Sequence, residues 1–357
     1  MKEFRHSGIL LAFLALGCAS LLMAQSSLRG GDYEWFDDYD DHHHHSSGDS
    51  SSMSVIPVSQ AADHNAALGS VDRAEAAIWN HLATPAPARQ SDLGMWLTPF
   101  YEHSSSHDLG ADGVTTRRNS GGSGFGMDFD IGNFLVGGAI DTGYRKVTTK
   151  SAFATTKNES EFFGFMGYVD WKSGALRLYG AQGISTDFHE LKLDMGGARQ
   201  RKDFVTVSLS GAGFAEYTFS SFVDVAPYAG VRYAFIDTER YRLGGVTYSA
   251  KDQLIVRFPV GLKVTRDFNF GGFYLRPGVN CYVEPVCGDT DSKTKIHSRS
   301  MGINQTDEAR MTDDFYWHAT AGVTVGFEAF ILSLNYGYHG SSHEKRHGFS
   351  ISYNMVF

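Results

Sequence analysis

The chain has 357 residues and a formal net charge of −9; 40 of its residues are glycine and 13% are aromatic. Because average glycine usage is about 7%, this excess of glycine beside many aromatic residues favours β structure over a helical bundle. No apolar run near ~18 residues follows the N-terminal region, which excludes a helical membrane protein but not a membrane β-barrel, and no basic stripe supports nucleic-acid binding.

Residues 1–24 are predicted to be a secretory signal, since two basic residues precede an apolar stretch from Ile9 to Leu22. We expect ordinary cleavage after Ala24. The segment Ala15–Cys18 loosely resembles a lipoprotein motif with two positions exchanged, so lipidation at Cys18 is the alternative.

Residues 25–58 form an acidic, Ser-rich and His-containing tract with too little apolar sequence to fold alone. Between Ser26 and Ser54, one arginine stands against seven acidic residues. The run His42–His45 could chelate Zn²⁺ or Ni²⁺ loosely, but a solvated linker is the simpler interpretation. We therefore predict a disordered tail and no metal site.

Residues 59–90 are predicted to be a helix followed by a linker. The stretch from Ser59 to Leu82 is rich in alanine, and Pro85 and Pro87 beyond it cannot continue a helix. Apolar residues recur in it at three- and four-residue spacing, which predicts one apolar face: Ala67, Val71, Ala74, Ile78 and Leu82.

From residue 91 to the C-terminus the pattern has a period of two, which predicts an outer-membrane β-barrel of twelve antiparallel strands. Short connections such as Gly132-Asn133 alternate with long polar ones, which we expect to be loops. Gln253–Thr265 is predicted to be one strand. The long connections are 104–120, 147–160, 191–203, 241–252 and 286–311.

One parity of each strand is apolar and the other polar, as expected for a wall between lipid and a wet lumen. Leu254, Val256 and Phe258, for example, alternate with more polar positions. Aromatic residues near the short turns suggest an interfacial girdle. The polar residues predicted to face the lumen are Arg232, Arg257, Lys263, Arg276, Glu216 and Asp224.

Two cysteines lie beyond the signal, Cys281 and Cys287, and two states stay open for them. A disulfide is one alternative in an oxidising compartment, but six residues of extended strand span about 20 Å, so it needs a bend near Pro285. Two reduced thiols are the other alternative.

Several stretches resemble the β-barrel domain of autotransporters, the type V secretion family. These are Met95–Tyr101, Gly121–Tyr144, Leu275–Asp291 and a C-terminal strand that ends in phenylalanine. The resemblance covers residues 61–357. The alternating residues of that last strand match the family's membrane-assembly signal: Phe349, Ile351, Tyr353, Met355 and Phe357.

The resemblance implies an all-β fold, a twelve-stranded transmembrane barrel whose lumen holds the N-terminal α-helix and whose passenger reaches the cell surface. Only about 35 residues separate the signal from the helix here, so we expect a very short passenger. Asn65 and Asn80 stand alone, and we expect no self-cleavage of the kind that uses an Asn pair. The implied partners are outer-membrane lipid, periplasmic chaperones and the barrel-assembly machinery, with a monomeric barrel and no nucleic acid.

Two other functions stay open: an outer-membrane pore or structural barrel without cargo, and an outer-membrane hydrolase. Residues of the right types for hydrolysis lie at the expected rim, in the runs 103–108 and 339–344. No hydrolase, P-loop, CxxC or HExxH motif accompanies them, so we predict no catalytic residues, no cofactor and no enzyme activity.

Overall fold

The computed structural model describes residues 55–83, 93–108, 113–152, 154–195, 198–327 and 330–356. Within them, helix α1 covers Val55–Ala83 and is followed by nineteen strands. Twelve barrel positions are filled by β1 (Leu93–His107), β2 (Thr115–Ile131), β3 (Phe134–Lys150), β4 (Thr155–Ser173), β5 (Leu176–Met195), β6 (Ala198–Tyr217), β8 (Asp224–Thr238), β11 (Gln253–Arg257) with β12 (Val260–Thr265), β14 (Tyr274–Gly288), β17 (Phe315–Gly326), β18 (Phe330–Gly340) and β19 (Glu344–Val356). The short strands β7 (Phe219–Ser220) and β13 (Phe268–Asn269) extend two turns, and a separate sheet contains β9 (Tyr241–Leu243), β10 (Val246–Ala250), β15 (Asp291–Ser298) and β16 (Ile303–Arg310).

The barrel closes because its first and last strands pair. Strands β1 and β19 are antiparallel over most of their length, with Met95 opposite Met355 and Ser106 opposite Glu344. Each other barrel strand pairs with its neighbours in chain order. Closure leaves no open sheet edge toward lipid, where each unpaired backbone group would cost several kcal/mol. The predicted twelve-stranded antiparallel barrel is therefore confirmed.

The predicted strand Gln253–Thr265 is interrupted at Phe258-Pro259. Proline has no N–H to donate to a ladder, so β11 ends before it and β12 begins after it. Both pieces nevertheless pair with β8 on one side and β14 on the other. The wall is continuous through the break.

Two predicted loops, 147–160 and 191–203, are instead strand. Strands β3 and β4 continue to Lys150 and from Thr155, and β5 and β6 continue to Met195 and from Ala198. The outward positions of these extensions, such as Lys192 and Asp194, are polar, whereas Leu191 and Leu193 are buried on the inner face. The outward apolar signal therefore disappears although the backbone stays paired. The sequence pattern therefore underestimated how far this wall rises beyond the lipid-facing zone.

Two further predicted loops, 241–252 and 286–311, contain strands as well. Hairpins β9–β10 and β15–β16 join through the β10–β15 pair into a four-stranded sheet, which we call the surface sheet. The turn Gly244-Gly245 has positive φ at both positions, 60° and 82°, which suits glycine in a two-residue hairpin. Tyr241, Leu243, Val246 and Tyr248 alternate and point inward, a pattern that the sequence contained.

The outward face of the barrel is a broad apolar band. Phe163, Phe188 and Phe222 are 52%, 56% and 74% exposed. Soluble monomers rarely expose an apolar surface of this extent, which is typical of a lipid-facing barrel wall. Other large apolar residues exposed on it include Phe129, Phe134, Phe165, Leu209, Phe235, Leu254, Leu262, Val279, Trp317, Leu334 and Phe349.

Helix α1 has 29 residues and lies inside the barrel, where it spans about 43 Å. It begins four residues before the predicted start. Burial is not confined to the predicted apolar face, because Asp63 and Glu75 are as buried as Ile78. Polar and apolar sides both find partners on the surrounding wall. Within the described residues, the helical sequence is too polar to cross a bilayer by itself.

Candidate functional site: the helix enclosed by the barrel

The two ends of α1 meet opposite ends of the barrel. Near its N-terminus, Ile56 packs in an apolar cluster with Tyr248 and Ile296 of the surface sheet. Near its C-terminus, the carbonyl oxygen of Leu82 accepts a 2.8 Å hydrogen bond from Arg177, at the start of β5 beside a short turn. The chain that precedes α1 therefore joins it at the long-connection end.

The N-terminal part of α1 is held by neutral hydrogen bonds. Gln60 accepts from Thr294 at 2.8 Å, and the ring nitrogens of His64 lie 2.9 Å from the Thr238 hydroxyl and 3.1 Å from the Ser292 hydroxyl. Burial of such groups is tolerated because each polar atom named here has a partner. The surface sheet thus belongs to the enclosure of the helix.

The middle of α1 carries three charged residues, Asp72, Arg73 and Glu75, that meet opposite charges on the wall. Asp72 contacts Arg257 at 2.5 Å and Arg346 at 3.4 Å. Arg73 contacts Glu102 at 2.9 Å. These side chains are at most 16% exposed, so each charge depends on its partner in a poorly solvated lumen.

Glu75, the third of these helix charges, is joined to the same group of wall residues. The Glu75 carboxylate accepts from Arg232 at 2.8 Å, and Arg232 also reaches Glu284 at 2.8 Å. Glu284 further lies 3.6 Å from Arg257 and 3.3 Å from His318. One connected network therefore fixes both the rotation and the height of the helix.

The C-terminal part of α1 uses aromatic and imidazole groups. The ring of Trp79 lies 5.4 Å from Tyr179, 5.2 Å from Phe214 and 6.0 Å from Tyr228, centroid to centroid. His81 lies 2.5 Å from a carboxylate oxygen of Asp128 and stacks on Trp96. Beside this part of the helix remain two cavities of about 280 and 270 Å³, both lined in part by Lys263.

The residues predicted to face the lumen lie on its wall. Arg232 and Arg257 join the network around α1, and Lys263 pairs with Glu216 at 3.4 Å. Arg276 pairs instead with Asp267 at the short-turn end, and Asp224 lines the cavity of about 280 Å³. Sequence analysis missed three network members, Arg118, Glu344 and Arg346, of which Glu344 had been assigned to the rim.

The rim residues considered for hydrolysis are divided among the lumen, the outer face of the wall and a cluster around Asp313, to which both Ser341 and His343 are hydrogen-bonded. Strand alternation buries Ser104 and Ser106 toward the lumen, whereas His103 lies on the other face and meets Asn119. His339 is buried beside His318 in the lumen. The ring of His343 contacts Asp313 at 2.7 Å, but Ser341 accepts from the backbone N–H of Glu344.

The two cysteines are free and exposed on the outer face of β14. The disulfide alternative fails because β14 stays paired with β17 from Tyr274 to Pro285 and with β11 beyond it, so Pro285 introduces no bend. A straight strand keeps the two thiols too far apart to bond.

In β19, the residues of the predicted assembly signal alternate with buried ones. Phe349 is outward and 43% exposed, whereas Ser352 and Asn354 are buried toward the lumen. Phe357, the signal peptide, Cys18 and the run His42–His45 lie outside the described residues. Among the described residues no group of three metal-binding side chains converges.

Residues 95–337 match the family model described as "Autotransporter beta-domain". The fold is similar to the translocator domain of autotransporter NalP from Neisseria meningitidis, with a TM-score of 0.62 and 12% identity over 85% of this chain and 99% of that one. It is also similar to the β domain of the Bordetella autotransporter BrkA, with a TM-score of 0.58 and 14% identity over 74% and 100% of the two chains. The transport unit of AIDA-I from Escherichia coli gives 0.59 and 10% over 80% and 97%. No curated protein matches the sequence.

Proposed function

Because this chain belongs to the autotransporter β-domain family, whose barrels lie in the outer membrane, we propose that it carries the segment before α1 to the cell surface and anchors it there. The observation that supports this most is the direction of α1. Its N-terminal end contacts the surface sheet, while its C-terminal end lies beside the short turns. Short turns face the periplasm in outer-membrane barrels.

In this proposal α1 is the anchor of the exported segment. A helix buried on every side by the wall and tied to it by charge pairs has no path outward without breaking them. The segment that precedes Val55 would remain attached at the surface.

Labelling of intact cells tests the direction of export. The variant Ser47→Cys, made with Cys18, Cys281 and Cys287 replaced by alanine, should react with a membrane-impermeant maleimide. The matched control Ser221→Cys lies at an exposed short turn and should react only after the outer membrane is permeabilised. Labelling of position 221 but not 47 on intact cells would overturn the proposal.

We further propose that the outward residues of β19 are read by the assembly machinery before β19 pairs with β1. Tyr353→Glu should then deplete the barrel from the outer membrane, because the change alters the outward apolar ladder. Asn354→Gln, the neighbouring lumen-facing position, is the control. Equal membrane levels for both variants would contradict this part.

A leak pathway is a second candidate function, favoured by the two cavities beside the lower part of α1. Deleting residues 59–82 should then raise single-channel conductance in planar bilayers, because the helix occupies most of the lumen. An unchanged conductance would exclude a helix-limited pore.

A further inference from the structure

The outer face of the surface sheet carries basic side chains whose charges are not neutralised. Its inner face is occupied by α1, through Ile296 and Thr294 of β15. Alternation along β15 then directs Lys295 and His297 away from the helix, where both are exposed. The sheet thus has one face used by the lumen helix and one face free of it.

Four residues define what we call the basic patch: Arg242, Lys295, His297 and Arg299. All four are exposed. Arg242 lies opposite Thr247, which lies opposite His297, so the patch crosses three adjacent strands within about 10 Å. The adjoining Lys293 is different, because it contacts Glu308 at 2.7 Å.

Within the described residues, no ion pair neutralises Arg242, Lys295 or Arg299. Like charges on neighbouring positions of one sheet face are unfavourable unless an opposite charge approaches them. The neighbouring positions Thr247, Ser249 and Thr306, opposite His297 and Lys295, add neutral hydrogen-bonding groups. These features suit an extended acidic peptide.

We propose that residues 32–41 of the same chain dock on the basic patch. This stretch holds six carboxylates and no lysine or arginine; they are Asp32, Glu34, Asp37, Asp38, Asp40 and Asp41. Its charge is complementary to the patch. It also contains aromatic residues, such as Trp35 and Tyr39, whose rings would lie over arginine side chains.

The covalent connection favours this occupant over a free acidic peptide. The segment joins α1 at Val55, and the next residue, Ile56, lies in the same apolar cluster as Ile296 of the sheet. Thirteen residues, 42–54, separate the acidic stretch from that point, and an extended chain of this length reaches about 45 Å. That exceeds the ~10 Å thickness of a sheet, and a short tether gives a millimolar effective concentration.

Docking is expected to be reversible and sensitive to salt. Each exposed ion pair contributes little alone and is screened as ionic strength rises. Several pairs together on a tethered segment favour the docked state at low salt. At the cell surface this inference rests on the proposed export, whereas in purified protein it depends only on the chain's own connectivity.

The test uses the full chain folded in detergent micelles, with Cys18, Cys281 and Cys287 replaced by alanine and a nitroxide spin label on Tyr39→Cys. The immobilised fraction of the label should fall about fivefold between about 20 mM and about 500 mM salt. The double variant Arg242→Glu/Lys295→Glu should show a similar fall at low salt. Replacing Asp37, Asp38, Asp40 and Asp41 by lysine in that variant should restore immobilisation.

The matched control is Lys157→Glu, an exposed lysine of β4 that forms no ion pair with the residues that the structure describes. It should leave the label immobilised. A label equally mobile in every variant and at both salt concentrations would overturn the inference, as would an equal effect of Lys157→Glu. Failure of the intact-cell labelling would instead overturn the export, since this measurement has access to both ends of the barrel.

Discussion

The N-terminal part and the middle of α1 are held in the same barrel by different kinds of contact. Around Gln60 and His64 the contacts are neutral hydrogen bonds and apolar packing against the surface sheet. Around Asp72 and Glu75 they are ion pairs with arginines of the wall. The partners of the first region lie largely in two hairpins between barrel strands, and those of the second lie on the continuous barrel.

Positioning of the helix and closure of the outer end of the lumen are therefore carried by different parts of α1. Neutral contacts are individually weak and tolerate substitution, so they close the outer end without fixing a register. Buried charges tolerate no loss of partner, so they fix the helix at one height. Removing one side chain should therefore cost more unfolding free energy in the middle of α1 than in its N-terminal part.

The largest effect is expected in the charged middle. Arg257→Met leaves Asp72 and Glu284 buried without one of their cations, which should cost about 3–5 kcal/mol of unfolding free energy. The measurement is the urea midpoint of the heat-modifiable gel band. As control, Arg276→Met loses only the contact with Asp267, whose side chain is 40% exposed, and should cost less than about 1 kcal/mol. Similar midpoints for both variants would remove the distinction between the regions.

A smaller and local effect is expected in the surface sheet. Ile296→Ala opens a cavity against Ile56 and should cost about 2–4 kcal/mol, felt by the sheet rather than by the barrel. Proteolysis within residues 291–310 should accelerate while the heat-modifiable midpoint stays unchanged. Lys295→Ala, the adjacent residue on the outer face, should not accelerate it. A shifted barrel midpoint would mean that sheet and barrel unfold as one unit.

The smallest effect concerns pH at the rim. Burial alone would raise the pKa of Asp313. Hydrogen bonds from Ser341 and His343 lower the pKa by more than burial raises it, so it lies below the usual value. A depressed pKa stabilises the folded state above the unfolded value of about 3.9, and this contribution is lost as the pH falls below about 4. Proteolysis of the rim connections should therefore rise below that pH, by less than about 1 kcal/mol in opening free energy. Asp313→Asn should abolish the pH dependence; a dependence that persists would assign it elsewhere.

Alternation predicted the lipid-facing zone well, because lipid on one side and polar lumen on the other enforce a period of two. It did not reveal that β5 and β6 rise to Met195 and Ala198, since the outward residues become polar there and the apolar ones, Leu191 and Leu193, face inward. Nor could it assign Glu344 to the lumen network, because its partner Arg118 lies on β2, far from Glu344 in the sequence. The inward alternation of Tyr241 and Leu243 was readable, but the segment is only three residues long.

The proposed export requires that α1 lies in the lumen with its N-terminal end at the surface sheet. The hydroxyls of Ser59 and Thr156 lie 2.9 Å apart, so Ser59→Cys/Thr156→Cys should form a disulfide in cells under mild oxidation. The loop that it closes would change migration on denaturing gels. Thr98, on the lumen face of β1 and bonded to Ser352, provides the control pair Ser59→Cys/Thr98→Cys, which should stay reduced. A disulfide in the control pair and none in the first would contradict the orientation of the helix.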